Sequence, residues 1–431
     1  MATAKARGPP SPDSPMPPTS KAGPEPRRPP SSDPQETNRP ARLILFAAAL
    51  LVAALNLRPA LTTLGPVLPE IIRDTGISAA GASVLTTIPV LCLGVFGLAA
   101  PRIAGRTGTE AAIVAALALI AAGSLVRLLA AYPALIVGTI ACGAALGVMG
   151  VLLPALVRRD FPRWTGPMMA AYTMALCAGA SIGAGAAVPL AEGMGGWHRA
   201  LAFWAVPAGA TALVWAAILL RSRNRPASAR RPAGLLWRSA LAWHVTLFMG
   251  LQSALSYVVF GWLAPILRAR GFDAVDAGLI VSGSILVQVA GALVSPLVAT
   301  RLKRQGPVAV AVSAATLLGL LGCVYGETSA VVPAAILLGL GQGGSMALAL
   351  TLIVLRSRDA ATAAELSGMA QSVGYTIAAG GPLAVGLIHD WFGGWSAIGP
   401  FLAAIAVLAA MSGWAAGRDD HVPALGAPAS A

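Results

Sequence analysis

Asn56, Arg58 and Pro59 stand together deep in an apolar run that extends from Arg42 to Pro66. An arginine near the middle of a membrane span costs about 2.5–3.5 kcal/mol on insertion scales, so its presence asks for a reason. Pro59 removes a backbone donor and disfavours helical geometry at Arg58. Interrupted helices are tolerated at membrane depth where they line a cavity. The expectation is that Asn56 and Arg58 project into a central aqueous cavity, with Arg58 offering a fixed positive charge to an anionic or electron-rich solute. The alternative is a structural arginine that satisfies carbonyls or pairs between helices.

Other polar residues interrupt later apolar runs: Thr62 and Thr63, Tyr172, then Gln252, Ser256 and Tyr257, and finally Gln288, Gln342, Gln371 and Tyr375. Amides and phenols donate hydrogen bonds without a buried charge, which suits a small polar solute. Interhelical hydrogen bonding explains a lone membrane glutamine equally well. Arg127, near the end of its run, is expected at the membrane interface, and so is His244.

Enzymatic chemistry has little to work with. Cys92, Cys142, Cys177 and Cys323 form no CxxC pair and lie far from any histidine at metal-ligand spacing. No cluster of Asp, Glu and His suggests a general acid and base or a metal centre, so neither cofactor nor metal is expected. The glycine-rich stretches "ACGAALGVMG" and "GLGQGGSMA" lack the Lys-Ser/Thr of a nucleotide loop, and close helix packing accounts for them. All seventeen Asp and Glu fall in tails, loops or span ends. A coupling proton or counter-ion remains an open partner, and coupling would have to use an end-of-span acid such as Glu70, a histidine, or ionisation of the solute itself.

The elements that must position these residues follow from composition. The chain is 56% hydrophobic and 11% charged, against roughly 25% charged in soluble domains, so its solvent is lipid. Twelve apolar segments suffice for spans of about 20 residues: 42–66, 79–100, 111–130, 133–156, 167–190, 199–220, 240–267, 275–300, 307–326, 330–355, 362–388 and 396–416. The expected organisation is a Pro/Ser-rich disordered tail (1–40), a six-helix bundle (41–221), a basic linker (222–238), a second six-helix bundle (239–417) and a short tail (418–431). The segments on the N-terminal side carry 24 Lys and Arg and those on the opposite side four. This asymmetry predicts that both termini are cytoplasmic. A net charge of +13 lying in short inter-span segments is not the clustered basic face of a nucleic-acid binder.

The two halves repeat each other. "EIIRDTG" aligns with "PILRARG", placing Arg73 195 residues before Arg268, and "EGMGGW" aligns with "DWFGGW". Paired six-helix repeats with a site between them are one plan of secondary transporters.

The stretches "LNLRPALTTLGPVLPEI", "LTTIPVLCLGVFGLAAPRIAGRTG", "GVMGVLLPALVRRDFP" and "SGMAQSVGY" resemble the cyanate/2-nitroimidazole transporter family of the major facilitator superfamily, from about residue 42 to residue 416. The resemblance implies an all-α integral membrane fold of twelve transmembrane helices in two pseudo-symmetric six-helix bundles. It also implies alternating access in a bacterial plasma membrane, small solutes such as cyanate-like anions or nitroimidazoles, and a monomer. It makes Asn56 and Arg58 the leading site residues. Pro59, Arg106 and Gly108 are the expected gating positions, although in "IAGRTGTE" Gly105 stands where the superfamily's loop carries an acid and Thr109 where it carries a base. A multidrug-type exporter of the same fold and a non-transporting sensor are the alternatives. The exporter predicts a wider, more aromatic cavity, and the sensor predicts ligand binding without translocation.

Overall fold

A computed structural model describes residues 39–221 and 235–423; the expected tail residues 1–38 and 424–431 and the linker residues 222–234 lie outside them. The described residues from Phe46 onward form one compact unit. The helices of the first half are α1 Arg39–Leu57, α2 Pro59–Thr62, α3 Leu68–Thr75, α4 Ala79–Thr107, α5 Thr109–Val126, α6 Tyr132–Asp160, α7 Thr165–Met194, α8 Trp197–Phe203 and α9 Ala205–Arg221. Those of the second half are α10 Ala240–Val258, α11 Ala264–Ala269, α12 Ala274–Ala299, α13 Gly306–Tyr325, α14 Val331–Leu355, α15 Ala360–Phe392 and α16 Ile398–Ala416.

Local chemistry sets many of the boundaries. Ser78, Ser239, Asp273 and Asp359 each accept a backbone N–H of the helix that follows, the usual role of an N-cap. The repeated Gly-Gly-Trp motifs stop α7 and α15 in the same way. Gly195 (φ 77°) and Gly393 (φ 68°) adopt the left-handed conformation that closes a helix C-terminus.

Among the described residues, eleven helices are long and apolar enough to cross a membrane. The remaining long helix, α15, has 33 residues. Its middle carries Gln371, Ser372, Tyr375 and Thr376, which lower its apolarity below that of the other eleven. Together with α15 these eleven candidate crossings fall where the twelve spans are expected.

The first helix of each half departs from α geometry at matching positions. Arg58 interrupts the first span, and a turn follows Thr62 before α3 begins. In the second half a π-helical stretch, Val259–Leu263, sits between α10 and α11, offset by the same 195 residues from Leu64–Leu68. The two irregular segments touch: Gly65 packs on the carbonyl of Phe260 so closely that no side chain fits. π-Bulges are strained and tend to mark functional segments.

Packing divides the bundle unevenly. In the first half α4 and α5 pack on α6, α9 on α5, and α2 on α7. In the second half α12 and α13 pack on α14, and α16 packs on α10 and α13. The halves meet through α4 against α15 and α7 against α12. Away from the chain termini, one continuous apolar cluster includes Leu64, Leu68 and Leu85 of the first half with Trp262, Val281 and Val385 of the second. Toward the termini the core splits into one cluster of first-half residues, such as Leu50, Leu117 and Trp215, and another of second-half residues, such as Phe248, Leu348 and Leu366. The halves therefore share one apolar core at the far end and keep separate cores toward the end that carries the termini.

Candidate substrate site

Where the fused core gives way, a small cavity opens. Arg58 lines it, with Gln252, Ser253, Ser256, Tyr257, Phe260, Gln288, Gln342, Met346 and Tyr375. Its volume is about 30 Å³, room for roughly two water-sized centres in this conformation. The first half supplies one residue and the second half supplies nine. That one residue is the charge.

Helical periodicity explains the second half's contribution. Residues 252, 253, 256, 257 and 260 lie on one stripe of α10 and its π-helical continuation, at the i, i+1, i+4, i+5 and i+8 spacing. Tyr257 packs edge-to-face on Phe260 with ring centroids 5.7 Å apart, and on Tyr375 at 6.2 Å. From α12 and α14, Gln288 Nε2 donates to Gln342 Oε1 at 3.1 Å, and Gln342 Nε2 donates to Leu255 O at 3.4 Å.

Arg58 has an unusual set of neighbours. Its guanidinium lies over the Phe260 ring, 5.6 Å from the centroid, and its side chain makes none of the hydrogen bonds or ion pairs found among the described residues. The titratable groups whose fields reach it are Tyr257, Cys177, Tyr375 and Tyr172, all neutral near pH 7. A cation–π contact contributes about 0.5–2 kcal/mol, less than the roughly 2.5–3.5 kcal/mol cost of placing arginine at this depth. The charge is left uncompensated and part exposed to the cavity.

Several expected site residues serve other ends. Asn56 is 5% exposed and ties α1 to α9, its Nδ2 donating to Val52 O at 2.9 Å and to Thr211 Oγ1 at 3.0 Å. Two residues along a helix turn the side chain by about 200°, so Asn56 and Arg58 face opposite ways. Thr62 donates to Ala180 O at 2.8 Å and Thr63 to Gly183 O at 3.0 Å, binding α2 to α7. Tyr172 belongs to the first half's own core. Gln371 donates to Ser367 Oγ within its own helix and stays outside the cavity lining, although Tyr375, one turn further on, is part of it. Ser253, Phe260 and Met346 join the site without having been singled out, and the α10 stripe was the signal available for the first two.

Arg127 is corrected most. It is 1% exposed, buried inside the bundle and not at an interface. Its Nη1 donates to Ala60 O at 2.7 Å and its Nη2 to Thr139 Oγ1 at 3.2 Å. The break explains the first bond: Leu64 N turns back to Leu61 O at 3.4 Å, leaving the carbonyl of Ala60 outside the helical ladder. Arg127 thus splints the irregular segment that carries Arg58. Gly138 makes room both for the α5 backbone and for this side chain, since a Cβ there would lie 2.5 Å from Gly123 O and 2.8 Å from Arg127 Cγ.

At the expected gating loop, Gly108 takes φ 91° and joins α4 directly to α5. Arg106 is exposed. The buried acid of this loop is Glu110, paired with Arg159 at 2.6 Å, which ties α5 to α6 inside one half. Pro59 opens α2. Links between the halves lie at mid-depth or at the far end. Ser181 Oγ and Ser282 Oγ are 2.6 Å apart. Arg268 pairs with Glu70 at 2.7 Å and also donates to Pro66 O at 3.1 Å. Asp390 of α15 accepts the backbone N–H groups of Ala79 and Ala80, at 3.1 and 2.8 Å, at the start of α4. Beside this closure, Asp74 accepts from Arg73 and from Trp197 Nε1 at 2.9 Å, and these hydrogen bonds, led by that from Arg73, hold its carboxyl below the usual carboxylate range.

Residues 44–379 match the family model of the Major Facilitator Superfamily. The chain belongs to that superfamily. It is a multi-pass membrane transporter and not an enzyme. A 2-nitroimidazole transporter of Escherichia coli (strain K12) is 36% identical over 383 residues, covering 88% of this chain and 97% of its own length. The cyanate transport protein CynX of the same organism is 28% identical over 343 residues, covering 79% and 89%. Among solved structures, the nucleoside transporter NupG shares the superfamily fold with a TM-score of 0.68 at 15% identity, over 86% of this chain and 99% of that one.

Proposed function

We propose that this chain carries a small anionic or electron-rich polar solute across the bacterial inner membrane by alternating access, as a monomer with both termini in the cytoplasm. The observation that carries this reading is the uncompensated guanidinium of Arg58, facing a cavity whose other lining residues are neutral. At an effective dielectric of about 20, a negative charge 4 Å away interacts with it by about 4 kcal/mol. A cationic cargo would meet that same energy as repulsion, which argues against a multidrug-type exporter of bulky cations. The solutes named for the two relatives, 2-nitroimidazole and cyanate, are both small and electron-rich, and each presents an acceptor that a guanidinium can bind.

Under this reading the conformation is closed to the outside and divided toward the cytoplasm. Glu70–Arg268 and the Asp390 cap on α4 are the outer closure. Cargo larger than a few atoms enters by displacing side chains, and unbranched Met346 is the most adaptable of them. Glu70, paired with Arg268, is the end-of-span acid that opening of that end would release.

Uptake by proteoliposomes tests the reading. With cyanate or 2-nitroimidazole as cargo, Arg58→Ala abolishes saturable uptake and Arg58→Lys retains part of it. Wild-type rates and affinities in both variants would sink the assignment.

A further inference from the structure

Gln252 differs from the other two amides of the cavity. Gln288 donates to Gln342, and Gln342 donates to the backbone; Gln288 Oε1 accepts none of the hydrogen bonds among the described residues, but it is not among the buried atoms left without a partner. Gln252 is 4% exposed, and its Nε2 is fully engaged: it donates to Ser253 Oγ at 2.8 Å and Met249 O at 3.2 Å, and contacts the sulfurs of Met346 at 3.4 Å and Met249 at 3.6 Å. Its Oε1 is buried with no partner at all. The amide orientation follows from these neighbours. Turned the other way, Oε1 could accept from the Ser253 hydroxyl, but it would also face the Met249 carbonyl and two thioethers, all acceptors, and Nε2 would lose all four contacts.

A buried acceptor left open on a cavity-lining side chain is an unmet demand for a donor, because polar groups out of water are normally paired. We infer that Gln252 Oε1 receives a hydrogen bond from the cargo, so that the site selects solutes combining an electron-rich group for Arg58 with an N–H or O–H donor. Arg58 supplies attraction common to every anion and nitro compound, and Gln252 discriminates among them. This inference rests on the reading of Arg58 as a cargo-binding charge. It deepens that reading by separating solutes such as cyanate, which has no donor, from those such as 2-nitroimidazole, whose ring nitrogen carries one. A site built to bond a donor rejects the analogue that lacks it, since the acceptor then stays unpaired.

Methylating the ring nitrogen removes the donor and leaves the nitro group intact. The test measures binding of 2-nitroimidazole and 1-methyl-2-nitroimidazole to the purified full chain, at a pH where the ring nitrogen keeps its proton. The proteins compared are wild type, Arg58→Ala and Gln252→Met, with Gln252→Asn as a second variant should the methionine protein not fold. Wild type is expected to bind the N–H compound at least about tenfold more tightly, which is about 1.4 kcal/mol. The Gln252 variants reduce that preference to less than about threefold, and Arg58→Ala weakens both compounds. Equal wild-type affinities, with both still dependent on Arg58, would overturn the inference and leave the charge reading standing, as would a preference that survives in the Gln252 variants. Failure of both compounds to bind wild type, or binding indifferent to Arg58→Ala, would overturn the charge reading and this inference with it.

Discussion

Arg58 and Arg127 are the same residue type, both lie within apolar spans, and neither has a carboxylate partner among the described residues. Arg127 is anchored: one nitrogen reaches the carbonyl freed at Ala60 and another reaches Thr139, and the fold has cleared a glycine to seat its stem. Arg58 is held only over an aromatic face, with its hydrogen-bonding groups turned to a cavity. Under the proposed function the pair separates an arginine whose two terminal nitrogens are tied to internal acceptors, with only its buried Nε left over, from one whose donors are left for cargo. The two are also coupled, since the structural arginine braces the irregular turn that presents the binding one.

The comparison is open to attack at several points. The largest expected effect is Arg58→Ala, which lowers affinity for an anionic solute by about 10²–10³-fold, the Coulomb energy of a close pair at moderate dielectric. Its thermal midpoint in detergent should stay level or rise, because a buried unpaired charge has gone. Arg127→Met should do the reverse, costing about 1.5–3 kcal/mol through loss of hydrogen bonds to a charged group, read as a lower midpoint by tryptophan fluorescence. If that variant kept its stability and lost only binding, the division of roles between the two arginines would be wrong. Gly138→Ala, whose Cβ would meet Gly123 O at 2.5 Å as well as Arg127 Cγ at 2.8 Å, should cost about 1–2 kcal/mol by overpacking, read as a lower thermal midpoint. The smallest effect belongs to Glu70→Gln, which removes a part-exposed pair with Arg268 worth about 0.5–1 kcal/mol. Its readout is increased labelling, from the side opposite the termini, of a cysteine placed at Thr86, with less contrast at high salt.

Much of the architecture was legible in the residues. Apolar length marked the spans, the Gly-Gly-Trp repeats marked matching helix ends, and Arg58 beside Pro59 marked the interruption. Asn56 was misplaced for want of one step of helical geometry, since two positions from Arg58 points away from it. Arg127 was unreadable for a different reason. Its acceptor is the carbonyl of Ala60, 67 residues away in the chain, and a freed carbonyl leaves no trace in a sequence. The π-helical stretch at Val259–Leu263 was also hidden, because "VFGWL" carries no residue that demands it. Its partner at Leu64–Leu68 showed only as Gly65 and Pro66. Gln252, Gln288 and Gln342 looked alike as letters, and only their partners and burial distinguish the one whose acceptor is both open and sealed from water.

The single positive group at the centre, set in one half against nine neutral residues of the other, has an electrical consequence. Under the proposed function a monoanion seated beside Arg58 would leave the centre neutral, so the loaded molecule would change face with little response to voltage. Without cargo the same rearrangement carries a net charge through part of the membrane field, which acts at about 2.3 kcal/mol per charge for every 100 mV. On that proposal membrane potential would bear on the unloaded return, and a cell's polarisation would set how quickly the carrier resets.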